Sequence, residues 1–506
     1  MQRNMIERRD INLQKALLRE RGICIVIPTY NNVGTIEDVV LRAKGQCDDV
    51  IVVNDGSTDG TGEVLHRIGG ITTVAHSANK GKGEALKSGL SKARNSGYAY
   101  AITLDADGQH FPEDIPLLLD ANRKHPGAII VGQRKELEKA ERSAGSKFAN
   151  SFSNFWFCVQ TGKYLKDTQT GYRLYPIKKL HGLSFLTSRY EAELELLVFS
   201  CWHGIPIYSV PINVYYPPKE ERVSHFRPGY DFSRISILNT CLCFLSIVYG
   251  YPLKIIRGLL VGGRTLYSLL VYLLLCVFVL LPSTFFLKCV KMEPQKRSLK
   301  LHAMLYTLSR WVMSVHGIPG VKYQVDNQGE TFKDPAVIIC NHQSHLDLMM
   351  MLSQTKKIVV LTNDWVWKSP FYGYVIRHAE FYPVSWGIDV LLPKLESLVK
   401  RGYCIAVYPE GTRSRDCHIG RFHKGAFHIA KALQLDILPF VEYGAGFVLP
   451  KGGKHLRKGE IKLTIKDRIK YKEYMKIGTE QEISSWFKNY YVKEYSSLCN
   501  KLDQDA

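Results

Sequence analysis

The sequence predicts an α/β chain: two sheet-containing domains joined by an apolar helical hairpin. Three observations carry that expectation. Short β-rich runs ("ICIVIPTY", "DVIVVND", "ITTVAH", "YAYAITLD", "GAIIVGQR") alternate with helical stretches between residues 23 and 132, the order of a mostly parallel sheet. Two nearly uncharged stretches follow at 235–253 and 266–287. Past residue 330, "PAVIICNHQSHLDLMMML" opens a second domain with a buried strand, a polar turn and an apolar helix.

The 506 residues exceed one ordinary core, and a formal charge of +20 implies an acidic partner, either nucleic acid or an anionic membrane face. No nucleic-acid-binding module is recognisable, so the apolar runs turn the choice to membrane and no nucleic acid is expected. The twelve cysteines are scattered without a C-x-x-C pair or zinc spacing, the pattern of reduced, buried thiols in a cytoplasmic compartment. Residues 1–21 carry charge where a signal peptide needs its apolar segment, and read as a helical extension.

The first domain is expected over 22–234. Its unusual residues gather where strands end, and ligands of parallel sheets bind there. "IVIPTYNN" ends one strand with Pro28, Thr29 and Tyr30, "VVNDGSTDGT" the next with Asp55, and "TLDADGQHFPEDIP" the fourth with Asp105 and Asp107. A carboxylate at a strand's close suits a base or ribose, and two spaced by one residue can hold a divalent ion against a diphosphate. "NKGKGEA" lacks the phosphate-loop spacing and completes no dinucleotide fingerprint, which argues against a kinase or dehydrogenase.

Together with "DTQTGYRLYP", "RYEAELELL" and "SHFRPGYDFSRI", these motifs resemble glycosyltransferase family 2, particularly its dolichyl- and polyprenyl-phosphate sugar synthases, over residues 22–240. The resemblance implies a GT-A (Rossmann-like) fold and an inverting transferase that uses a nucleotide diphosphate sugar with Mg²⁺ or Mn²⁺. By position, it implies that Pro28, Tyr30 and Asp55 contact the nucleotide sugar, that Asp105 lies near the donor and that Asp107 ligates the metal. Arg173 would face the acceptor's anionic group or the leaving diphosphate. Glu191 and Glu193 are both candidates for a general base, which a hydroxyl acceptor needs and a phosphate acceptor does not.

The apolar stretches at 235–253 and 266–287 pair as a transmembrane or re-entrant hairpin within 235–290; the second is about 33 Å long as a helix, enough for the hydrocarbon core. Its connector carries Lys254, Arg257 and Arg264. Nine cations flank it: Lys219, Arg222, Arg227 and Arg234 before, Lys288, Lys291, Lys296, Arg297 and Lys300 after, a bias that puts both domains inside. Residues 291–330 read as an amphipathic interfacial segment.

The second domain is expected over 331–475, followed by a C-terminal helix at 476–506. His342 and Asp347 are too far out of phase to share one face of a regular helix. If the helix begins only after Ser344, the turn folds His342 back over Asp347. Imidazole can then act as general base on a hydroxyl, with the carboxylate fixing its tautomer. "IAVYPEGTRSR" ends a strand in Glu410, Gly411, Arg413 and Ser414, where a guanidinium beside a glycine turn suits phosphate or carboxylate.

With "HAEFYPVSWG", "FHKGAFHIA" and "ILPFVEYG", this half is similar to the glycerolipid acyltransferases, such as lysophosphatidic acid acyltransferase, over residues 300–475. The resemblance implies a thioester donor, acyl-CoA or acyl carrier protein, with no cofactor and no acyl-enzyme intermediate. Glu410, Gly411, Arg413 and Ser414 would surround the acyl acceptor. One departure matters: the family's second block usually ends in Arg or Lys, whereas "FYPVSWGID" offers Ser385 and Trp386, which opens the acceptor beyond glycerol phosphates.

Nucleotide sugars and acyl thioesters are both cytoplasmic, so an even number of crossings is required. The chain reads as a bifunctional enzyme of the inner (cytoplasmic) membrane, both domains facing the cytoplasm, that transfers a sugar and an acyl group in envelope (glyco)lipid synthesis. The alternatives are two independent activities, polyprenyl-phosphate sugar synthase plus lysolipid acyltransferase, or a role in aryl-polyene or pigment-lipid assembly. A non-catalytic membrane scaffold is disfavoured, since every motif residue is present.

Overall fold

Strands β1 (Ile23–Thr29) and β2 (Val50–Asn54) are buried on both faces, which is why they read as unbroken apolar runs and not as alternations. The computed structural model describes residues 11–12, 14–135, 144–183, 186–216, 228–369 and 372–505. Residues 1–10 of the expected extension, residues 224–227 of "SHFRPGYDFSRI", and Lys219, Arg222 and Arg227 lie outside the described residues. The chain divides into two units, one running up to Arg257 and the other Gly258–Cys499, with the residues from Asn500 on, the end of the C-terminal helix, grouped with the first.

In the first unit, α1 (Ile36–Gln46), α2 (Thr61–Arg67), β3 (Thr72–Ala75), α3 (Lys82–Asn95), β4 (Tyr100–Thr103), α4 (Ile115–Lys124), β5 (Ile129–Arg134), α5 (Ala144–Thr161), β6 (Arg173–Pro176), α6 (Glu191–Trp202) and β7 (Ile207–Ile212) complete an α/β layer structure. The sheet order is β3-β2-β1-β4-β6-β5-β7, with β6 alone antiparallel to its neighbours. Chain order reverses between β1 and β4, so the loops leaving those two strands diverge and open a crevice at the carboxyl edge. Apolar clusters fill both faces of the sheet, one around Ile25, Val52 and Ile102, the other around Val26, Val53 and Trp202.

The expected hairpin is corrected by one continuous helix, α7 (Gly229–Cys289), long and apolar enough to cross a membrane by length and composition. The connector at 254–265 is helical because its cations do not face water at a turn. Lys254 Nζ donates to the Thr161 carbonyl (2.5 Å) and Arg257 Nη1 to that of Trp202 (2.6 Å), both within the first unit. Arg264 Nη2 donates to the Leu456 carbonyl (2.7 Å) within the second. Two π-helical turns, Ser246–Gly250 and Leu275–Leu280, interrupt the α-helical ladder.

The second unit continues with α8 (Pro294–Val312), β8 (Val321–Asn327), β9 (Val337–Cys340), α9 (Leu346–Leu352), β10 (Ile358–Val360), α10 (Ile388–Lys400), β11 (Cys404–Val407), α11 (Gly425–Ala432), β12 (Ile437–Tyr443), β13 (Gly459–Ile465) and α12 (Glu480–Asp505). Its sheet runs β10-β11-β9-β12-β13-β8, with only β12 and β13 antiparallel. The interfacial segment expected over 291–330 divides. Its first part is α8, whose Leu301, His302 and Leu305 are buried, while β8 belongs to the sheet and pairs along its whole length with β13, from Gly459↔Val321 to Ile465↔Asn327. The C-terminal helix α12 buries Phe487 and Tyr491, and the Tyr491 hydroxyl donates to the Ile339 carbonyl of β9.

His302 Nε2 donates to the Ala379 carbonyl at 2.8 Å, and burial pushes its pKa from 6.5 down to about 4. The unfolded chain therefore binds a proton that the folded unit refuses between those values. Stability should be fully present above pH 6.5 and fall as pH drops toward 4, by up to about 3 kcal/mol. Thermal unfolding of the second unit across that range should show the decline, and His302→Gln should flatten it.

Candidate active sites

At the first crevice, the turns after β1 and β2 are laced together. Thr58 N–H donates to Asn31 Oδ1 (2.8 Å), Asn32 N–H to Thr61 Oγ1 (3.0 Å) and Val33 N–H to Asp59 Oδ2 (3.0 Å). Pro28 and Tyr30 sit half-buried on this rim. Asp55 is 2% exposed and turned inward, where it accepts from His76 Nδ1 (2.6 Å), Lys80 N–H (3.0 Å) and Gly81 N–H (2.8 Å). In this geometry it holds the "NKGKG" turn.

That turn delivers Lys82, which the sequence analysis did not single out. Lys82 Nζ bridges Asp105 Oδ1 (2.7 Å) and Glu193 Oε2 (3.1 Å), with side chains 21%, 22% and 10% exposed. Two glycines make the approach feasible. A Cβ on Gly83 would lie 2.4 Å from Ala192 Cβ, and one on Gly171 would lie 2.4 Å from Asp105 Oδ1, so any side chain at either position would push the cluster apart. Burial alone would raise Asp105, but Lys82, His110 and Arg173 outweigh it and hold the carboxyl at about 2. Burial alone would also lower Lys82, and the two carboxylates reverse that, so the ammonium stays charged.

Asp107 is pushed above the usual carboxylate range, by burial first and then by Asp105. Two like charges this close favour a cation between them. His110 Nδ1 is buried, makes no hydrogen bond and lies 3.8 Å from Asp105 Oδ2. No three His, Cys, Asp or Glu side chains among the described residues converge as a complete metal site. A divalent ion held by Asp105 and Asp107 fits this arrangement if donor phosphates and water complete its shell, as is usual for Mg²⁺.

The structure separates the two glutamates that the sequence leaves equal. Glu193 joins the Lys82 cluster, whereas Glu191 is paired to Arg234 (Oε1–Nη2 2.5 Å). Arg173 is fully buried and donates to the Thr168 carbonyl (2.8 Å), the Glu193 carbonyl (2.9 Å) and the Tyr175 hydroxyl (3.0 Å), while its Nε makes no hydrogen bond. It braces β6 against α6.

In the second unit α9 starts at Leu346, past Ser344, and the turn does fold back. His342 Nδ1 donates to Asp347 Oδ2 at 2.8 Å, and the same oxygen accepts Gln343 N–H (2.7 Å) and Ser344 N–H (2.9 Å). Asp347 is fully buried, and the imidazole stacks on Tyr408 with ring centroids 4.0 Å apart. With Nδ1 committed as donor, Nε2 is the acceptor, on a side chain 20% exposed.

The two oxygens of Glu410 accept His342 N–H and Gly420 N–H, both at 2.9 Å, so it pins the histidine turn to the 410–420 loop. Gly411 makes the turn with φ +64°. Ser414 N–H donates to the His342 carbonyl (2.7 Å), and its hydroxyl donates to Asp416. Among the described residues nothing forms a hydrogen bond or ion pair with the Arg413 guanidinium, which depresses His345 after burial has done so. Lys451, absent from the sequence analysis, donates from Nζ to the Arg413 carbonyl (2.7 Å) and Thr412 Oγ1 (2.8 Å), adding a second cation beside it. At the departing block, Ser385 donates to Asp364 (2.8 Å), while Lys394 lies over the Tyr382 and Trp386 rings.

Residues 24–171 match the model of the glycosyl transferase family 2, and residues 321–442 that of the acyltransferase family. The UDP-N-acetylglucosamine–dolichyl-phosphate N-acetylglucosaminyltransferase of Methanococcus voltae is 29% identical over 220 residues, 39% of this chain and 88% of its own length. The polyprenol monophosphomannose synthase of Mycolicibacterium smegmatis is 31% identical over 209 residues, 37% of this chain and 76% of its own. A chloroplastic 1-acyl-sn-glycerol-3-phosphate acyltransferase of Arabidopsis thaliana is 31% identical over 137 residues, 26% of this chain, and the match spans only 38% of that relative. The chain therefore belongs to glycosyltransferase family 2 through its first unit and joins to it an acyltransferase-family domain, so that two transferase domains share one polypeptide.

Proposed function

We propose that the chain is a bifunctional membrane enzyme that places a sugar from a nucleotide diphosphate sugar and an acyl group from acyl-CoA or acyl carrier protein on an envelope lipid or its precursor. The observation that carries this reading is that each sheet ends in an assembled reactive cluster, Lys82–Asp105–Glu193 in one unit and His342–Asp347 in the other.

In sugar transfer the acceptor oxygen attacks the anomeric carbon as the bond to the diphosphate breaks. Asp105 and Asp107 would hold Mg²⁺ or Mn²⁺, which when bound would offset charge on the leaving diphosphate. Lys82 offsets one of the two charges of Asp105 and Glu193, which lessens the repulsion that an anionic donor meets. Glu193 is the base if the acceptor is a hydroxyl, and Glu191, tied to Arg234, is not. In acyl transfer His342 Nε2 takes the hydroxyl proton as the oxygen attacks the thioester carbonyl, and returns it to the departing thiolate. Asp347 steadies the imidazolium, and Arg413 with Lys451 draws in an anionic group of the acceptor.

Helix α7 supports a membrane seat without a crossing. Its 61 residues would extend about 90 Å, three times the hydrocarbon thickness. In the first unit Asn239, Leu242 and Ser246 are buried, with Ile237, Phe244, Val248 and Ile255 exposed. In the second, Cys276, Leu280 and Thr284 are buried, with Leu259, Leu266, Leu270 and Phe285 exposed. Each half thus shows an apolar face outward while Lys254, Arg257 and Arg264 bond inward, the pattern of a helix lying in the interface. Both domains then stay on the cytoplasmic side of the inner membrane. A cysteine placed at Gly262 should react with an impermeant maleimide only from the cytoplasmic side, and labelling from the outer side would overturn this seat.

Membranes carrying the chain, supplied with labelled nucleotide sugar and labelled acyl donor, should yield one lipid bearing both labels. Two singly labelled lipids would leave two independent transferases.

A further inference from the structure

Behind the His342–Asp347 pair lies a carboxyl group that the proposed chemistry does not use. Glu442 sits on β12 in a sheet where Phe440 pairs with Cys340, so continuing the parallel register by two residues sets Glu442 beside His342. Its backbone is locked there: Asn341 Nδ2 donates to the Glu442 carbonyl and Glu442 N–H donates to Asn341 Oδ1, both at 2.9 Å. The side chain is fully buried, and neither carboxyl oxygen makes a hydrogen bond. Asp347 Oδ1, the oxygen turned away from His342, is also buried without a hydrogen bond, and so is the Tyr408 hydroxyl.

Three buried groups without a hydrogen bond, from β12, α9 and the end of β11, therefore lie behind the dyad, and the charge of Asp347 acts on both of the others. An unpaired buried acceptor is costly, and two neighbouring carboxyl groups remove that cost by sharing one proton. Burial raises Glu442 well above the usual carboxylate range, and Asp347 and then Glu410 add to the rise; the Ala445 N–H opposes it without reaching hydrogen-bond geometry. Cys340, Tyr408 and Tyr323 are the other titratable groups that feel it, and burial raises all three, so none supplies a countercharge.

We propose that Glu442 is a positioning residue for the His342–Asp347 pair: held as an uncharged carboxylic acid, it donates its proton to Asp347 Oδ1, directly or through one bridging water. The donation fixes the plane of the aspartate and tempers its charge, which sets the basicity of His342. This rests on the acyltransferase reading of the second unit.

The test uses the full chain with Glu442→Gln and Glu442→Leu. At neutral pH the wild type should show a carboxylic-acid C=O infrared band that Glu442→Gln removes. Glu442→Gln, which can still donate, should keep the wild-type kcat and pH profile of acyl transfer. Glu442→Leu should lower kcat roughly tenfold or more, as an unpaired buried acceptor implies, with KM unchanged. It should also move the acid limb of the profile to higher pH, because an untempered Asp347 holds the imidazolium more strongly. Absence of the band overturns the proposal, as does a Glu442→Leu enzyme that is merely less heat-stable with an unmoved acid limb. A wild type that transfers no acyl group overturns the acyltransferase reading instead, and the infrared band still decides whether Glu442 keeps its proton.

Discussion

Replacing His342 by alanine is expected to lower acyl transfer about 10³-fold while leaving sugar transfer at its wild-type rate. The size follows from the geometry. Nδ1 is committed to Asp347 at 2.8 Å, and the carboxylate is held by two backbone N–H groups, so the imidazole is fixed in one tautomer with Nε2 free to accept. No equivalent base stands ready: Glu410 has both oxygens engaged by backbone donors, and burial and then Arg413 make His345 a weaker base. Asp347→Asn should cost less than His342→Ala, because the amide can still accept from Nδ1 but no longer offsets the imidazolium charge. Parallel assays of acyl and sugar incorporation in the same membranes check both claims. Equal loss of the two activities would indicate unfolding, and no loss would remove His342 from the chemistry.

Asp107→Asn should have the converse effect, lowering sugar transfer roughly 10²-fold or more and sparing acyl transfer. The amide is close in shape, so the crevice should survive, but it removes the charge that a divalent ion requires. Raising Mn²⁺ should restore part of the activity if ion affinity is what was lost. Lys82→Met is a sharper companion, since it leaves Asp105 and Glu193 both charged in a partly buried site with nothing between them. A variant at Asp107 with wild-type sugar transfer at limiting Mn²⁺ would exclude that carboxylate from the metal site.

Much of this was legible from the sequence where the signal was local. The strand-ending motifs fell at the carboxyl edges of two sheets, and helix phase showed that His342 and Asp347 could meet only if the helix began after Ser344, as it does. What was not legible shares a cause: a motif residue looks the same in sequence whether or not it also binds its own backbone. Asp55, Arg173 and Glu410 are among the strongest motif letters, and all three help to hold turns and strands together. Lys82 was passed over because its phosphate-loop context is wrong, although its partners lie 23 and 111 residues away in sequence. The connector at 254–265 resembled a loop because it is cationic, and no local pattern reveals that those cations are satisfied by carbonyls of the folded units.

The π turn at Ser246–Gly250 gives α7 something like a reading frame. It accommodates one residue beyond the α-helical count, and Gly250 is drawn so close to Trp202 that a Cβ there would lie 2.5 Å from the indole nitrogen. Deleting one residue from that turn would only restore the α-helical count, whereas deleting one from Tyr251–Leu253, where the α-helical ladder resumes, would rotate everything after it by about 100°. Lys254 and Arg257 would then leave the carbonyls of Thr161 and Trp202 and emerge among the apolar side chains. A single missing amino acid, with every other letter intact, would act as a frameshift in three dimensions, turning a greasy surface into a charged one.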